Sequence, residues 1–269
     1  MISLRTTCGA LPAARTPGCR LAPILPVSRR VRPTIRGMTA FALVHGAWHG
    51  PWCWEEVAPL LQKAGHDVVA PELPCDDGSA TTFEPYADLV CAALDGRDAD
   101  VVVVAHSLAG PTGTLIAARR PVRHLVYVCA VVPAPGLSLV DQGGEMVNPD
   151  WDKGLSRPDA ELRTVWVDRG MAKALFYHDC DESTVTAAFS RLRPQSAYPF
   201  IAAFPLSQLP TVSCTYVACA EDRLIDPDWQ VQTARNIGAS LEVIPSSHSP
   251  FFSQPRALAE ALLRVANAN

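Results

Sequence analysis

The sequence has 269 residues, of which 48% are hydrophobic and 19% are charged, and its formal net charge is −4. This composition is typical of a globular enzyme and excludes a disordered chain, and no stretch reaches the roughly 18 uncharged apolar residues of a membrane-spanning helix. From residue 38 onward, 16 basic residues stand against 27 acidic ones, which disfavours nucleic acid as a partner because phosphate binding needs a basic face.

The first 37 residues differ in composition from the rest, with seven arginines, no lysine and no acidic residue. Three interpretations stay open: a transit-like segment, since such peptides are rich in arginine and poor in acids; a disordered tail; or an untranslated stretch, with Met38 as the true start. Pro23 and Pro26 interrupt the only apolar run that resembles a secretory signal. We therefore predict a cytoplasmic protein, or an organellar one if residues 1–37 are a transit peptide.

The nine cysteines form no CxxC pair, and their number is odd. Cys129, Cys214 and Cys219 lie in apolar runs that are typical of strands. This pattern indicates buried free thiols in a reducing compartment rather than a disulfide framework.

Short apolar runs alternate with amphipathic stretches along the chain. The predicted strands span residues 41–45, 67–70, 101–105, 124–129, 211–218 and 241–244. The predicted helices between and after them span residues 54–63, 86–94, 109–119, 229–237 and 255–266. This alternation predicts a parallel sheet with helices on both faces, and the uninterrupted valines at 101–104 are typical of a strand that is buried on both sides.

The interval 133–210 breaks this rhythm, because it lacks a clear strand–helix unit. Turn-rich sequence is followed there by helical patterns over residues 162–174 and 183–191. A structureless loop of this length is rare in a compact domain. We therefore predict a small helical cap over residues 133–210, inserted into a core formed by residues 38–132 and 211–269.

Three residues with the chemistry of a serine hydrolase follow three of the predicted strands. Ser107 follows the valine strand, Asp222 follows the strand 211–218, and His248 follows the last strand. Because ligands bind beyond the carboxyl ends of parallel strands, these side chains are expected at one edge of the sheet. A serine at a strand-to-helix turn, in the chain order Ser, Asp, His, is the arrangement of an α/β-hydrolase.

Five segments together resemble one branch of the α/β-hydrolase superfamily, which holds plant methyl esterases, hydroxynitrile lyases and related bacterial esterases. They are FALVHGAWHGPWCW, AHSLAG, LFYHDCDESTVTAAFSRLRPQS, ACAEDRLIDPDWQ and SSHSPFFSQP. The resemblance runs from about Thr39 to the C-terminus and leaves residues 1–37 uncovered. It implies the α/β-hydrolase fold: a mostly parallel sheet of about six strands, with helices on both faces and a small helical cap.

The proposed nucleophile is Ser107, which needs a neighbouring base because a serine hydroxyl is a weak nucleophile on its own. His248 is the predicted base. The turn around the serine is crowded, so small residues are required two positions before and after it. Here these are Ala105 and Ala109, where the usual motif has glycines.

The predicted acid is Asp222, which would fix the tautomer of the base and stabilise its cation. Glu221, Asp226 and Asp228 lie close enough in the sequence to be alternatives. His106 is adjacent to the serine, but we expect its side chain to point away from the nucleophile and into the fold.

An oxyanion hole is expected from two backbone N–H groups. One belongs to Leu108, directly after the nucleophile, and the resemblance implies Ala47 for the other. We expect His45, Gly46 and His49 to shape this loop. Three nearby tryptophans are expected in the core or in the pocket wall: Trp48, Trp52 and Trp54.

Two positions separate the esterases from the lyases of this branch. The resembling lyases carry a threonine directly after the loop histidine and a lysine directly after the catalytic histidine, and the lysine stabilises the departing cyanide. Here these positions hold Gly46 and Ser249, which cannot do that work. We therefore predict ester hydrolysis, with a pocket made somewhat more polar by Ser249.

The predicted substrate is a small to medium, fairly apolar ester, and no metal or cofactor is expected because no ligand-spaced motif is present. Trp151, Trp166, Phe176 and Tyr177 are candidates either for pocket walls or for cap-to-core packing. Lactone, amide or carbon–carbon hydrolysis, or perhydrolysis, by the same triad stays an alternative, as does a ligand-binding receptor on a hydrolase scaffold. A homodimer is considered, whereas neither nucleic acid nor a membrane span is expected.

Overall fold

A computed structural model describes residues 38–78, 82–97, 100–144 and 146–268 of the chain. The predictions about residues 1–37 lie outside these residues. The strands are β1 Ala40–Val44, β2 Asp67–Val69, β3 Val101–His106, β4 His124–Val128, β5 Arg163–Thr164, β6 Gln195–Ser196, β7 Cys214–Cys219 and β8 Ser240–Ile244. The helices are α1 Ala58–Lys63, α2 Glu84–Ala93, α3 Gly110–Arg119, α4 Arg169–Phe176, α5 Glu182–Ser190, α6 Tyr198–Ile201, α7 Pro227–Asn236, α8 Pro250–Ser253 and α9 Pro255–Asn267.

Six of these strands form one sheet, in the order β2-β1-β3-β4-β7-β8. Every neighbouring pair is parallel, which confirms the predicted parallel sheet. All residues of β1 and β3 are buried, because elements cover both faces of the sheet. The edge strand β8 is exposed over most of its length, as expected of a strand with one neighbour.

The largest difference from the prediction lies in the interval 162–174, which we expected to be one helix. Its first part is β5, which pairs with β6 in an antiparallel ribbon. The helix α4 begins only at Arg169, because Asp168 caps it by accepting a hydrogen bond from the Met171 N–H at 3.0 Å. An N-cap residue lies outside the helical conformation, so Asp168 separates the ribbon from the helix.

The segment 133–210, which we call the cap segment, contains β5, β6, α4, α5 and α6. Backbone hydrogen bonds join it to the loops after β1 and β7: the Arg193 N–H donates to the Trp48 carbonyl at 2.8 Å, and the Asn148 N–H donates to the Leu224 carbonyl at 2.9 Å. Both loops follow the carboxyl ends of strands. Its division from the core as a separate cap stays a prediction.

The seven cysteines within the described part of the chain are all free thiols, and Cys129 and Cys219 are buried whereas Cys214 is half-buried. The described helices lack the length and apolar character needed to cross a membrane.

Candidate active site

Ser107 lies at the sharp turn between β3 and α3, as the first residue of a 3₁₀ turn that spans Ser107–Ala109. Its φ is +54°, a left-handed conformation that is costly for a residue with a side chain and is often found at functional sites. The Val131 N–H donates to the Ser107 carbonyl at 3.1 Å. This hydrogen bond fixes the turn against the end of β4.

Two glycines of α3 provide the room that this turn requires. A Cβ atom on Gly110 would lie 1.8 Å from the Val131 carbonyl oxygen, so only glycine fits there. A Cβ atom on Gly113 would lie 2.8 Å from the Ala105 Cβ. The alanine that replaces a motif glycine at position 105 is therefore accommodated by a glycine on the facing helix.

The side chains of Ser107, His248 and Asp222 form a continuous hydrogen-bonded chain. The Ser107 Oγ lies 2.9 Å from His248 Nε2, and His248 Nδ1 lies 2.7 Å from Asp222 Oδ2. The His248 and Asp222 side chains are 1% and 0% exposed, so solvent does not weaken their contact. The structure thus brings together the three residues predicted from the order of the strands.

The three other acidic residues considered for the acid role do not contact His248. Asp226 caps α7 by accepting a hydrogen bond from the Trp229 N–H at 2.8 Å. Glu221 and Asp228 are exposed. Of the four acidic residues in this stretch, only Asp222 contacts His248.

Gln230 is a further residue of the site, which our sequence analysis missed. Its side chain is fully buried in α7. Gln230 Nε2 donates to Asp222 Oδ2 and to the Ile225 carbonyl, each at 2.9 Å, while its Oε1 accepts from the Cys219 N–H at 3.0 Å. Backbone N–H groups of Leu224 and Ile225 donate to the other Asp222 oxygen. With His248, four donors therefore surround this carboxylate and fix its orientation.

His106 contacts the backbone of His248 rather than the serine hydroxyl. Its Nε2 donates to the His248 carbonyl at 2.9 Å. Burial is the main reason why the pKa of His106 lies well below its usual value, so the ring is neutral and its Nδ1 carries no proton. Consistent with our expectation, His106 lies in the interior, where it supports the main chain of His248.

The loop after β1 lies directly against the Ser107 turn. A Cβ atom on Gly46 would lie 2.8 Å from the Ser107 Cβ and 2.9 Å from His106 Nδ1. The threonine of the resembling lyases would not fit here without movement of the backbone. Trp48 has a φ of +58°, which reflects the tight course of this loop.

Two backbone N–H groups near Ser107 are candidates for an oxyanion hole: one in this loop, at Ala47, and one in the 3₁₀ turn itself, at Leu108. Within the residues that the structure describes, the Ala47 N–H donates to no protein group. Leu108 lies in the first turn of a 3₁₀ helix, where N–H groups have no acceptor inside the helix. Both groups are thus available to a ligand, and their role as an oxyanion hole stays a prediction.

Two neutral histidines shape this loop. The His45 Nε2 accepts from the Leu73 N–H at 3.1 Å, and its Nδ1 contacts the Gly46 carbonyl. The His49 Nδ1 donates to the Ala47 carbonyl at 2.8 Å. Burial lowers the pKa of His45 to about 4 and that of His49 to about 3, so neither ring is charged near neutral pH.

A cavity of about 330 Å³ opens beside Ser107. Among the described residues of its lining, the side chains other than that of the serine are apolar. These residues are Ala47, Trp48, Ser107, Leu108, Val131, Leu139, Val140, Gly143, Gly144, Met146, Val147, Trp151, Phe200, Leu224 and Ile225. The expectation that Ser249 makes the pocket more polar is not met, because Ser249 lies outside this lining and is buried ahead of α8.

Of the four aromatic residues of the cap segment considered as pocket walls, one lines the cavity and three pack against the core. Trp151 lines the cavity. Trp166, Phe176 and Tyr177 instead pack inside the protein, with the Trp166 and Phe176 rings 4.9 Å apart. The three tryptophans after β1 are all buried, and Trp48 also lines the cavity.

One cluster within the described part of the chain brings together metal-ligating side chains. Ligand atoms of His106, Cys129 and His248 lie within 4.8 Å of one another. Both ring nitrogens of His248 already contact Ser107 and Asp222. A metal ion in this cluster would therefore break the hydrogen-bonded chain of the site, and we assign none.

Comparisons with known proteins agree with this architecture. A family model described as "Alpha/beta hydrolase family" matches residues 41–261. Methylesterase 18 of Arabidopsis thaliana is 28% identical over 258 residues, which cover 85% of this chain and 97% of that protein. The pyrethroid hydrolase of Sphingobium wenxiniae is 29% identical over 251 residues, which cover 86% of this chain and 89% of that protein.

A solved structure shares the fold over the same region. The pyrethroid hydrolase from Sphingobium faniae JZ-2 superimposes with a TM-score of 0.72 at 25% identity, covering 86% of this chain and 98% of the other. The similarity therefore extends along nearly the whole length of these relatives.

Proposed function

Because the chain belongs to the alpha/beta hydrolase family, we propose that it hydrolyses carboxylic esters with Ser107 as nucleophile, His248 as base and Asp222 as acid. The predicted class of reaction is confirmed by the relatives, which include methylesterases and a pyrethroid hydrolase. The observation that carries the residue assignment is the unbroken contact from the serine hydroxyl through the imidazole to the carboxylate.

The reaction follows from this geometry. His248 Nε2 accepts the hydroxyl proton as the Ser107 Oγ attacks the ester carbonyl, and Asp222 stabilises the imidazolium. His248 then returns the proton to the leaving alcohol, which leaves an acyl group on Ser107. A water molecule, activated by the same imidazole, hydrolyses this acyl-enzyme and releases the acid.

The charge that develops on the carbonyl oxygen requires donors at fixed positions. The Ala47 and Leu108 N–H groups are our candidates, because neither donates to a protein group within the described residues and both lie beside Ser107. The close approach of Gly46 to Ser107 supports this assignment, since it holds the loop of Ala47 beside the nucleophile.

The apolar lining of the cavity favours an uncharged ester of small to medium size. A volume of about 330 Å³ lies near the lower end of ligand pockets. The lining residues that the structure describes carry no charged side chain, and a charged substrate group would lose its hydration against them without gaining a partner. We propose that the cap segment closes this cavity, since Trp151 and Phe200 stack over it with their rings 6.0 Å apart.

The alternative functions differ from ester hydrolysis either in the bond that is broken or in the absence of turnover. The lyase activity of the branch is not favoured, because Gly46 has no room for a threonine side chain. Lactone, amide or carbon–carbon hydrolysis and perhydrolysis use the same three residues, so substrate panels must separate them. A receptor would bind without turnover. Cytoplasmic location and a homodimer stay predictions.

The test measures hydrolysis of p-nitrophenyl acetate and labelling by a fluorophosphonate probe in the purified full-length chain. We expect Ser107→Ala to abolish both, and Asp222→Asn to lower kcat by about 10⁴ with the fold intact. Ser190→Ala is the matched control, since Ser190 is exposed on α5 and its hydroxyl donates to the Ala187 carbonyl of its own helix. Turnover that survives Ser107→Ala would refute the assignment, and labelling of the wild type without turnover would favour a receptor.

A further inference from the structure

Three consecutive residues at the end of α4 contact three different loops of the site. Tyr177, His178 and Asp179, which we call the Tyr-His-Asp clip, follow directly after the last residue of α4. The loops they contact follow β1, β7 and β8. These are the loops that carry the candidate oxyanion donor, the acid and the base.

The first contact supports the loop of Ala47. Tyr177 and His49 are both buried, and the Tyr177 hydroxyl lies 2.8 Å from His49 Nε2. Because the Ala47 carbonyl can only accept, His49 Nδ1 carries the proton and donates to it at 2.8 Å. His49 Nε2 is therefore an acceptor, and the tyrosine hydroxyl donates to it. The hydroxyl thus fixes the ring that holds Ala47.

The second contact supports the loop of the acid. His178 Nε2 donates to the Glu221 carbonyl at 2.8 Å. Glu221 directly precedes Asp222 in the chain. The hydrogen bond therefore holds the peptide unit that enters the acid residue.

The third contact supports the loop of the base. Asp179 Oδ2 accepts from the Ser247 N–H at 2.8 Å, and the Ser247 Oγ donates to the Phe176 carbonyl at 2.9 Å. Ser247 directly precedes His248 in the chain. The loop of the base is thus attached by two hydrogen bonds to the end of α4.

We propose that the Tyr-His-Asp clip is a positioning element that aligns the oxyanion loop, the acid and the base with one another. This inference rests on the proposed function. The three loops leave different strands, and one short segment joins them to a common helix end. Small errors in the relative position of catalytic groups cost large factors in rate, which is why such a shared attachment matters. The three residues act through their neighbours and do not touch the serine hydroxyl.

Tyr177→Phe tests the first contact, since it removes only the hydroxyl and keeps the ring in place. We expect kcat to fall roughly tenfold while KM changes little, because an oxyanion donor acts mainly in the transition state. Tyr198→Phe, in α6 of the same cap segment, is the matched control and keeps the kcat of the wild type.

For Asp179 and His178, an alanine variant removes the hydrogen bond and an amide variant restores it. Asp179→Ala lowers kcat roughly tenfold, and Asp179→Asn restores most of it because its amide oxygen still accepts from the Ser247 N–H. His178→Ala lowers kcat likewise, and His178→Gln restores it by donating from its amide to Glu221. Asp181→Ala is the matched control, since Asp181 caps α5 in the cap segment and its carboxylate accepts from Ser183 and Thr184 of that helix.

The outcomes separate this proposal from the proposed function. A fall in kcat with little change in KM, rescue by Asn and Gln, and unfolding temperatures close to those of the controls support the clip. If Tyr177→Phe and Asp179→Ala keep kcat within about twofold while Ser107→Ala is inactive, the clip is refuted and the esterase stands. If Ser107→Ala stays active, the proposed function fails whatever the clip variants do.

Discussion

Gln230→Leu would break a buried polar network while nearly keeping side-chain volume. The amide of Gln230 bonds to the Cys219 N–H, the Ile225 carbonyl and the Asp222 carboxylate. Leucine leaves the first two groups buried without a partner and removes one of the four donors of Asp222. The substitution therefore removes hydrogen bonds that join α7 to β7 and to the loop of Asp222.

The expected cost follows from these unsatisfied groups. Each buried backbone group without a partner costs about 1–3 kcal/mol, so the two together cost about 4 kcal/mol of unfolding free energy. For a domain of this size, a loss of that magnitude lowers Tm by roughly 10 °C.

The assay is thermal unfolding followed by circular dichroism, with urea unfolding at 25 °C as a second measurement. Gln232→Leu is the matched control, because Gln232 lies on the exposed face of the same helix and its side chain donates to the Asn236 side chain of that helix. We expect this control to unfold within about 1 kcal/mol of the wild type. If Gln230→Leu is no less stable than Gln232→Leu, the network does not stabilise the acid loop and our reasoning is wrong.

Two further outcomes are expected from the histidines and the glycines. Burial lowers the pKa of His45 to about 4 and that of His49 to about 3, and it lowers the pKa of His106 as well. Below about pH 6.5 the folded chain therefore binds fewer protons than the unfolded chain, in which these histidines have their usual pKa. Their contribution to stability is complete above that pH and falls as the pH drops, by roughly 4 kcal/mol per unit for three such rings; unfolding free energies that are equal at pH 7 and pH 5 would contradict this. Gly113→Ala should lower Tm because its Cβ would lie 2.8 Å from that of Ala105, and adding Ala105→Gly should recover part of the loss, whereas no recovery would mean that this contact is not the cause.

The sheet could be predicted because its strands are short, apolar and bounded by turns. All six predicted strands of the main sheet exist, with ends that differ by at most three residues. The ribbon of β5 and β6 could not be predicted, because each strand has two residues and its partner lies about 30 residues away. Such short segments have no periodicity of their own.

The site could be predicted as far as topology determines it. The carboxyl ends of parallel strands meet at one edge, so Ser107, Asp222 and His248 were expected together. Gln230 and the Tyr-His-Asp clip act through contacts between distant segments, which no local spacing reveals. One signal was available for Gln230, since a glutamine in register with Thr233 and Ala234 on the buried face of α7 is a polar residue in an apolar position.

The distance along the chain between the members of the site has a consequence for how activity arises during synthesis. Ser107 and His248 are 141 residues apart in sequence, and α8 and α9 follow the histidine. A ribosome-bound chain that has exposed Ser107, the first four strands and the whole cap segment still lacks His248, the base of the proposed mechanism. On that mechanism, esterase activity appears only once nearly the full polypeptide has emerged, and we expect any fragment that stops before the last loop to be inert even where it folds.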